Sequence, residues 1–224
     1  MKEGILKKYI GPKFFYQRIA HIAIPLALQQ ILNQAAGFVD TIMVSQINGV
    51  GAVAVATQLD TIMMNVGFGI NSGAGMYAAQ FYGARDYKSL RKIFGLKIII
   101  NFINAAIFMA LALLFGNAIL GFYSGDDEVV KLGMSYLSIS CFAYIFSSLT
   151  NVYSFIYRAI QKTHIPMYIG MVVTVVNIVF NYLLIFGKFG LPEMGVAGAA
   201  LATLIATMTG ATIHVVYAYK THQP

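Results

Sequence analysis

The sequence predicts an all-α, polytopic membrane protein with six transmembrane helices, and three observations support this prediction. Hydrophobic residues make up 58% of the 224 positions and charged residues only 10%, whereas soluble domains carry about 25% charged residues. The mean hydropathy is +0.72. Charge-free runs recur along the chain, and each is long enough for the roughly 20 residues with which a helix crosses a bilayer; they are 61–84, 98–125, 132–157, 163–187 and 194–219.

The six spans follow these runs in chain order. Residues 19–84 carry no charged side chain except Asp40 and Asp60, and this stretch is too long for one span. We therefore predict two spans, 19–45 and 52–81, separated by a turn at Asn48, Gly49 and Gly51. The remaining spans are predicted at 96–120, 131–157, 165–187 and 194–219. No strand-like alternation competes with helices.

The positions of the basic residues predict the orientation of these spans. Thirteen of the 15 Lys and Arg residues fall on one side, so the positive-inside rule places both termini in the cytoplasm of a multi-pass cell (plasma) membrane protein. Residues 1–18 form a basic cytoplasmic segment, 19–219 the transmembrane lobe and 220–224 a cytoplasmic end. The thirteen are Lys2, Lys7, Lys8, Lys13, Arg18, Arg85, Lys88, Arg91, Lys92, Lys97, Arg158, Lys162 and Lys220.

Several function classes are excluded by the same composition. The net charge of +7 reflects membrane topology, so it does not indicate a nucleic-acid partner. The single cysteine, Cys141, cannot form an internal disulfide, and no Cys/His spacing suggests zinc. No catalytic Ser/His/Asp set, HExxH helix or glycosidase-like carboxylate pair is present. The sequence therefore predicts neither an enzyme nor a bound cofactor.

Asp40 is the most informative residue, because an acid inside a span costs roughly 2.5 to 3.5 kcal/mol and such residues usually serve a function. Asn33, Gly37 and Asp40 share one helical face and predict the wall of a polar cavity. Pro25 should kink or weaken the same helix. The simpler alternative is an Asp close enough to the span end to reach headgroup water.

Other polar positions are less specific. Thr174, Asn177 and Asn181 form a stripe on span five, which is typical either of a site or of helix-to-helix hydrogen bonding. His214 in span six suits an interfacial position. Asp60 is a second buried acid, and the sequence leaves open whether it is functional. Gly67, Gly69, Gly73 and Gly75 predict close helix packing on span two.

Three motifs together resemble the multidrug and toxic compound extrusion (MATE) transporters, from about residue 19 to the end. They are GFVDTIMVS around Asp40, FGINSGAG followed by QFYGARD at the end of span two, and NIVFNYLLIFGKFGLPEMGVAGAALAT over residues 177–203. The resemblance implies one six-helix lobe of a secondary antiporter that exports amphipathic, often cationic compounds in exchange for H+ or Na+.

The resemblance also implies an ion site. The positions that match the family's proton- or Na+-coupling residues are Asp40, Asn177, Asn181 and Thr203, and the family's hinge proline matches Pro25. Some members have Asp where Asn181 stands. Because an amide does not titrate, Asp40 would carry the charge change alone.

The chain is shorter than the members of this family, which have two similar six-span lobes, whereas this sequence predicts one. The chain is then either a fragment of a longer gene product that has a second lobe or a half-transporter that pairs as a homodimer. Two other functions stay open: a lipid-linked sugar flippase of the same superfamily, whose cavity should carry several basic residues, and a truncated, non-transporting membrane remnant.

Overall fold

The computed structural model describes residues 12–221, and this part of the chain is all-α, without strands. Seven α-helices follow one another, with a short turn of 3-10 type at Lys188–Gly190 before the last helix. Their bounds are α1 Lys13–Ser45, α2 Val50–Gly83, α3 Tyr87–Tyr123, α4 Asp127–Ser140, α5 Ala143–Ala159, α6 His164–Ile185 and α7 Gly195–Lys220.

The seven helices give five or six candidate membrane spans. Five helices are individually long and apolar enough to cross a bilayer, and α4 and α5, with a bend of 54° between them, are a sixth candidate if they form one span together. The predicted all-α membrane fold is confirmed, but the predicted span 131–157 is not one helix. Helix α1 begins at Lys13, inside the predicted N-terminal segment; residues 1–11 and 222–224 lie outside the described residues.

The bend between α4 and α5 arises without glycine or proline. Ser135 Oγ donates to the Leu132 carbonyl at 2.7 Å, and Ser138 Oγ donates to the Ser135 carbonyl at 3.2 Å. Such serine bonds to the preceding turn bend helices. At the break the backbone bonds tighten to a three-residue spacing, since Phe142 N donates to Ile139 O at 3.3 Å.

Helices α6 and α7 are held together by a close backbone approach. A Cβ atom added at Gly198 would lie 2.6 Å from the Leu184 carbonyl oxygen, so only glycine fits there. The turn that joins them uses left-handed backbone at Gly187 (φ 60°) and Gly195 (φ 55°), a conformation that glycine adopts at little cost. Helix α1 packs mainly on α6 and makes few contacts with α2.

The predicted close packing at Gly69 and Gly73 is wrong for the described residues. A Cβ added at either position would meet no atom within 4 Å, and α1 makes few contacts with α2, so this face of α2 is uncovered. Large apolar side chains are exposed around it, among them Phe38 (69%), Phe68 (59%) and Met76 (65%). We call this surface, on α1 and α2, the open face.

Lys97 is not the surface charge that the topology argument assumed. The helix that carries it, α3, begins at Tyr87, so Lys97 lies almost three turns inside it. Its side chain is fully buried, and its Nζ has no hydrogen-bond partner among the described residues. The other described basic residues of this group, from Lys13 to Lys220, still mark one end of the bundle, which we call the basic end.

Candidate functional site

Asp40 meets the amides of α6 in the half of the bundle away from the basic end. Asn181 Nδ2 donates to Asp40 Oδ1 at 2.5 Å and lies 3.2 Å from Asn177 Oδ1. Asn181 is only 1% exposed and Asn177 8%. Asp40 is five residues before the last residue of α1 and Asn181 four before that of α6 (Lys13–Ser45 and His164–Ile185), so the pairing joins the same ends of two packed helices.

The Asn177 amide can serve an ionised Asp40 in one orientation. With its nitrogen toward the carboxylate, Asn177 donates to Oδ1 at 2.9 Å and to Oδ2 at 3.2 Å. A carboxylate accepts only, whereas a protonated carboxyl group must also donate. The two amides therefore fit an ionised Asp40 as donors, and protonation of Asp40 requires at least one amide oxygen to turn toward it.

A cavity of about 440 Å³ opens beside Asp40, and we call it the acid cavity. Its polar wall includes Thr203 on α7 and Tyr136 on α4, beside Asp40 and Asn181. The Thr203 hydroxyl donates to the Ala199 carbonyl at 3.0 Å and also has a hydrogen bond with Tyr136. The remaining wall is largely apolar and comes from α1, α2 and α7: Gly37, Thr41, Val44, Val50, Val53, Ala54, Thr57 and Ala199.

The donor set at the acid cavity suits a hard cation or a proton. Asp40 supplies carboxylate oxygens, Thr203 a hydroxyl oxygen, and Asn181 an Oδ1 that is buried without a partner among the described residues. Hard cations take oxygen ligands of these kinds. In residues 12–221 no group of three His, Cys, Asp or Glu side chains is placed to hold a metal, so the site does not resemble a transition-metal centre.

The structure separates the residues that were predicted to share one wall. Gly37 lines the acid cavity with Asp40, but Asn33 lines a different cavity nearer the basic end. Pro25 lies inside the continuous helix α1, about 22 Å along the axis from Asp40 at 1.5 Å per residue. It lies beside His164 and Tyr168 of α6. It is not part of the acid cavity.

Asp60 has a partner that the sequence did not reveal. The Tyr144 hydroxyl donates to Asp60 Oδ1, and Tyr144 itself is 2% exposed. Asp60 is not among the residues of the acid cavity. Tyr144 lies at the start of α5, just after the bend, and bonds Asp60, whereas Tyr136 lies in α4 before the bend and lines the acid cavity. No pattern in the sequence predicts either tyrosine, because both come from distant helices.

Comparison with known proteins identifies the family. The MatE family model matches residues 25–183, which include Asp40, Asn177 and Asn181. The chain belongs to the MATE family. MATE proteins are transporters, not enzymes, so the sequence-based exclusion of an enzyme is confirmed. Thr203 lies beyond the matched range.

Relatives of this MATE chain carry multidrug names. It is 28% identical over 204 residues to the "Probable multidrug resistance protein YoeA" of Bacillus subtilis, covering 90% of this chain and 44% of the relative. It is 25% identical over 209 residues to the "Multidrug export protein MepA" of Staphylococcus aureus, covering 92% and 45%. The chain thus spans about half the length of the curated relatives it matches.

Solved structures show the same fold. An outward-facing multidrug resistance MATE family transporter of the MOP superfamily superposes with a TM-score of 0.83 at 19% identity, covering 92% of this chain and 45% of that one. The Vibrio cholerae MATE transporter VcmN in its bent form gives 0.84 at 19% identity, covering 92% and 47%. The predicted fold, one lobe of a MATE transporter, is confirmed.

Proposed function

We propose that the chain is one lobe of a secondary antiporter, which exports amphipathic or cationic compounds in exchange for H+ or Na+. The observation that supports this proposal most directly is a half-buried carboxylate, Asp40, held by amides at the wall of a cavity. A carboxylate in that place can hold a proton, a Na+ ion or an organic cation, but only one at a time. Because the exported cation and the H+ or Na+ ion compete for this one carboxylate, binding of one releases the other, and this is sufficient to couple their transport.

Asp40 is the only titratable carboxylate that lines the acid cavity. Ionised Asp40 accepts hydrogen bonds from Asn181 and Asn177, which hold α1 against α6. Loading with H+ or Na+ removes the negative charge and weakens these charge-assisted bonds, which are roughly twice as strong as neutral ones. Helix α1 can then shift relative to α6, and such movement closes or opens the cavity as alternating access requires.

The proposed orientation places the basic end in the cytoplasm of the plasma membrane and the acid cavity in the outer half. Lys97 no longer counts as a loop charge because it is buried. The remaining basic residues still outnumber the two on the opposite end, Lys131 and Lys188, so the positive-inside argument stands. Protons or Na+ would then reach Asp40 from outside.

The proposed partner is a second lobe that covers the open face, from either the rest of a longer product or a second copy of this chain. Exposed apolar side chains of α1 and α2 border it, and a central substrate path between two lobes would run along this face. Relatives with multidrug names support export of drugs. The multidrug names of these relatives favour drug export over the lipid-linked sugar flippase.

Export from cells tests the proposal. Cells that express the chain should resist a toxic lipophilic cation, and Asp40→Asn should abolish the resistance at equal expression. Asp127→Asn is the matched control, because Asp127 is an exposed acid at the start of α4. Resistance that survives Asp40→Asn would contradict the ion site, and no resistance with the wild type would favour a non-transporting remnant.

A further inference from the structure

A second cavity of about 440 Å³ lies nearer the basic end, and Asp40 does not line it. We call it the arginine cavity. Arg158, near the end of α5, reaches into it, and Asn33 of α1 and His214 of α7 also line it. The rest of its wall is mixed: Met64, Phe68 and other apolar side chains lie beside the polar side chains of Gln29, Gln30, Ser147, Thr150, Asn151 and Ser154.

Two cations share one aromatic ring beside this cavity. The Arg158 guanidinium carbon lies 4.9 Å from the centre of the Phe155 ring, and Lys97 Nζ lies 5.4 Å from the same centre. Cation–π contacts of this length are attractive, but they do not neutralise charge. Phe155 therefore stands next to two positive groups.

Neither cation has a compensating acid among the described residues. Lys97 is fully buried and its Nζ has no hydrogen-bond partner there. Arg158 Nη2 donates only to Gln29 Oε1, at 3.4 Å, and Arg158 Nε is buried without a partner. No described residue that lines the cavity is an Asp or Glu. Because buried charges are normally paired, the half-buried, unpaired Arg158 at the cavity wall and the buried Lys97 close by, outside that wall, together indicate a missing anion.

Two further residues that line this cavity, His214 and Thr150, have a buried polar atom with no partner among the described residues. His214 is 1% exposed and stacks on Tyr153 and Tyr157 at 5.7 and 5.8 Å between ring centres. Its Nδ1 has no partner in the described part of the chain, and neither does the Thr150 hydroxyl. His214 is thus a buried cavity residue, so its predicted interfacial position is wrong.

We propose that the arginine cavity binds an oxyanion of the phosphate class. The guanidinium fork of Arg158 matches a phosphate, and among the described residues the 3.4 Å contact of Nη2 with Gln29 is its only hydrogen bond. The positive charge of Lys97, which does not itself line the cavity, and the hydroxyl groups of the wall favour phosphate over a carboxylate, which has fewer oxygens and a single charge. The phosphate can belong to a lipid headgroup that enters from the bilayer or be free in solution.

Thermal unfolding of the chain in maltoside micelles, which contain no phosphate, tests this inference and separates the two sources. In one arm, inorganic phosphate is added, with chloride at equal ionic strength as the control. In the other arm, phosphatidic acid is added to the micelles without inorganic phosphate. Phosphate at about five times its dissociation constant should raise Tm by about 2 to 4 °C.

A rise in both arms, or in either arm alone, supports the oxyanion site and shows which source it accepts. No rise in either arm overturns the inference, since the cations must then be compensated in another way. This result depends on the wild-type chain alone, so it does not require a variant to fold.

Matched variants locate the effect. Arg158→Gln should lose the response, whereas Arg91→Gln, which removes an exposed arginine from α3, should keep it. Lys97→Met removes the buried charge; it should unfold at a higher temperature than the wild type without phosphate and respond less to phosphate. Equal responses in Arg158→Gln and Arg91→Gln would show general surface attraction and overturn the site.

Discussion

At the residue scale, the hydrogen-bond partners of Asp40 are amides. A second acid in their place would titrate together with Asp40. Asn181 and Asn177 can donate to the carboxylate or accept from its protonated form after turning, but neither changes charge. The acid cavity therefore changes its charge by one unit when Asp40 is loaded. In the proposed antiport, the organic cation and the coupling ion would share this carboxylate, because Asp40 is the only acidic side chain among the described residues that line the cavity.

Asp60 differs from Asp40 because a tyrosine satisfies it inside the bundle. Asp60→Asn keeps an acceptor for the Tyr144 hydroxyl, so stability and export should stay close to wild type. Asp60→Leu leaves that buried hydroxyl without a partner and should cost about 1 to 3 kcal/mol of unfolding free energy, measured by denaturant titration in detergent. Loss of export in Asp60→Asn, comparable to that in Asp40→Asn, would instead place Asp60 in the coupling site.

Spacing within one helix predicted the polar residues that share a helical face. It did not predict the residues that other helices contribute. Asn177 and Asn181 share a face because they are four residues apart, and the spacing is visible in the sequence. Tyr136, Tyr144 and the burial of Lys97 depend on how helices pack, which no local spacing encodes. Lys97 lies close to loop charges in sequence, so its charge alone suggested a surface position.

At the element scale, the contact of α6 with α7 should be sensitive to a single methyl group. Gly198→Ala would place Cβ 2.6 Å from a backbone oxygen, and overpacking of this kind costs about 1 to 3 kcal/mol. Gly95→Ala is the matched control, because a Cβ at Gly95 of α3 meets nothing within 4 Å. Thermal unfolding should show a lower Tm for Gly198→Ala only. Equal Tm values would contradict the close approach.

The start of α3 should depend on pH through its N-cap. Asp86 Oδ1 accepts from the Ser89 backbone N–H at 3.0 Å, and this bond holds the pKa of Asp86 below its ordinary value of 3.8. A lowered pKa in the folded state gives stability that is present above pH 3.8 and is lost as pH falls through the folded pKa.

Asp86→Ala should therefore unfold at a lower temperature than the wild type at pH 7, and the gap should narrow below pH 3.8. Asp86→Asn, which keeps a side-chain oxygen for the cap, should lie between them. Unfolding curves at pH 7 and pH 3 provide the measurement. A gap that stays constant with pH would show that the charge of Asp86 does not contribute.

The bend in the fourth span was not predicted, although the span itself was. Hydrophobicity reports whether a segment can cross the membrane, and residues 132–157 carry no charged side chain. The bend comes instead from serine side chains that bond to the preceding turn, a signal weaker than glycine or proline. The bend separates the helix of Tyr136, which lines the acid cavity, from that of Tyr144, which bonds Asp60.

At the scale of the whole molecule, we expect another lobe to dock on the open face. In a Cys141→Ala background, a cysteine at Gly73 or Phe38 should crosslink two copies in native membranes if the chain forms a homodimer. Leu114→Cys is the control, because Leu114 is 75% exposed on α3, away from that face. Crosslinking through Leu114 but not through Gly73 or Phe38 would show that the open face is not the interface.

Gradient-driven uptake into inverted vesicles tests the role of Asp40 most directly. A fluorescent lipophilic cation should accumulate in vesicles that contain the wild type when a H+ or a Na+ gradient is imposed, and the effective gradient identifies the coupling ion. Asp40→Asn should show no gradient-driven uptake with either ion, whereas Asp127→Asn should behave as the wild type. Gradient-driven uptake that persists in Asp40→Asn would contradict the proposal that this carboxylate couples the ion to export.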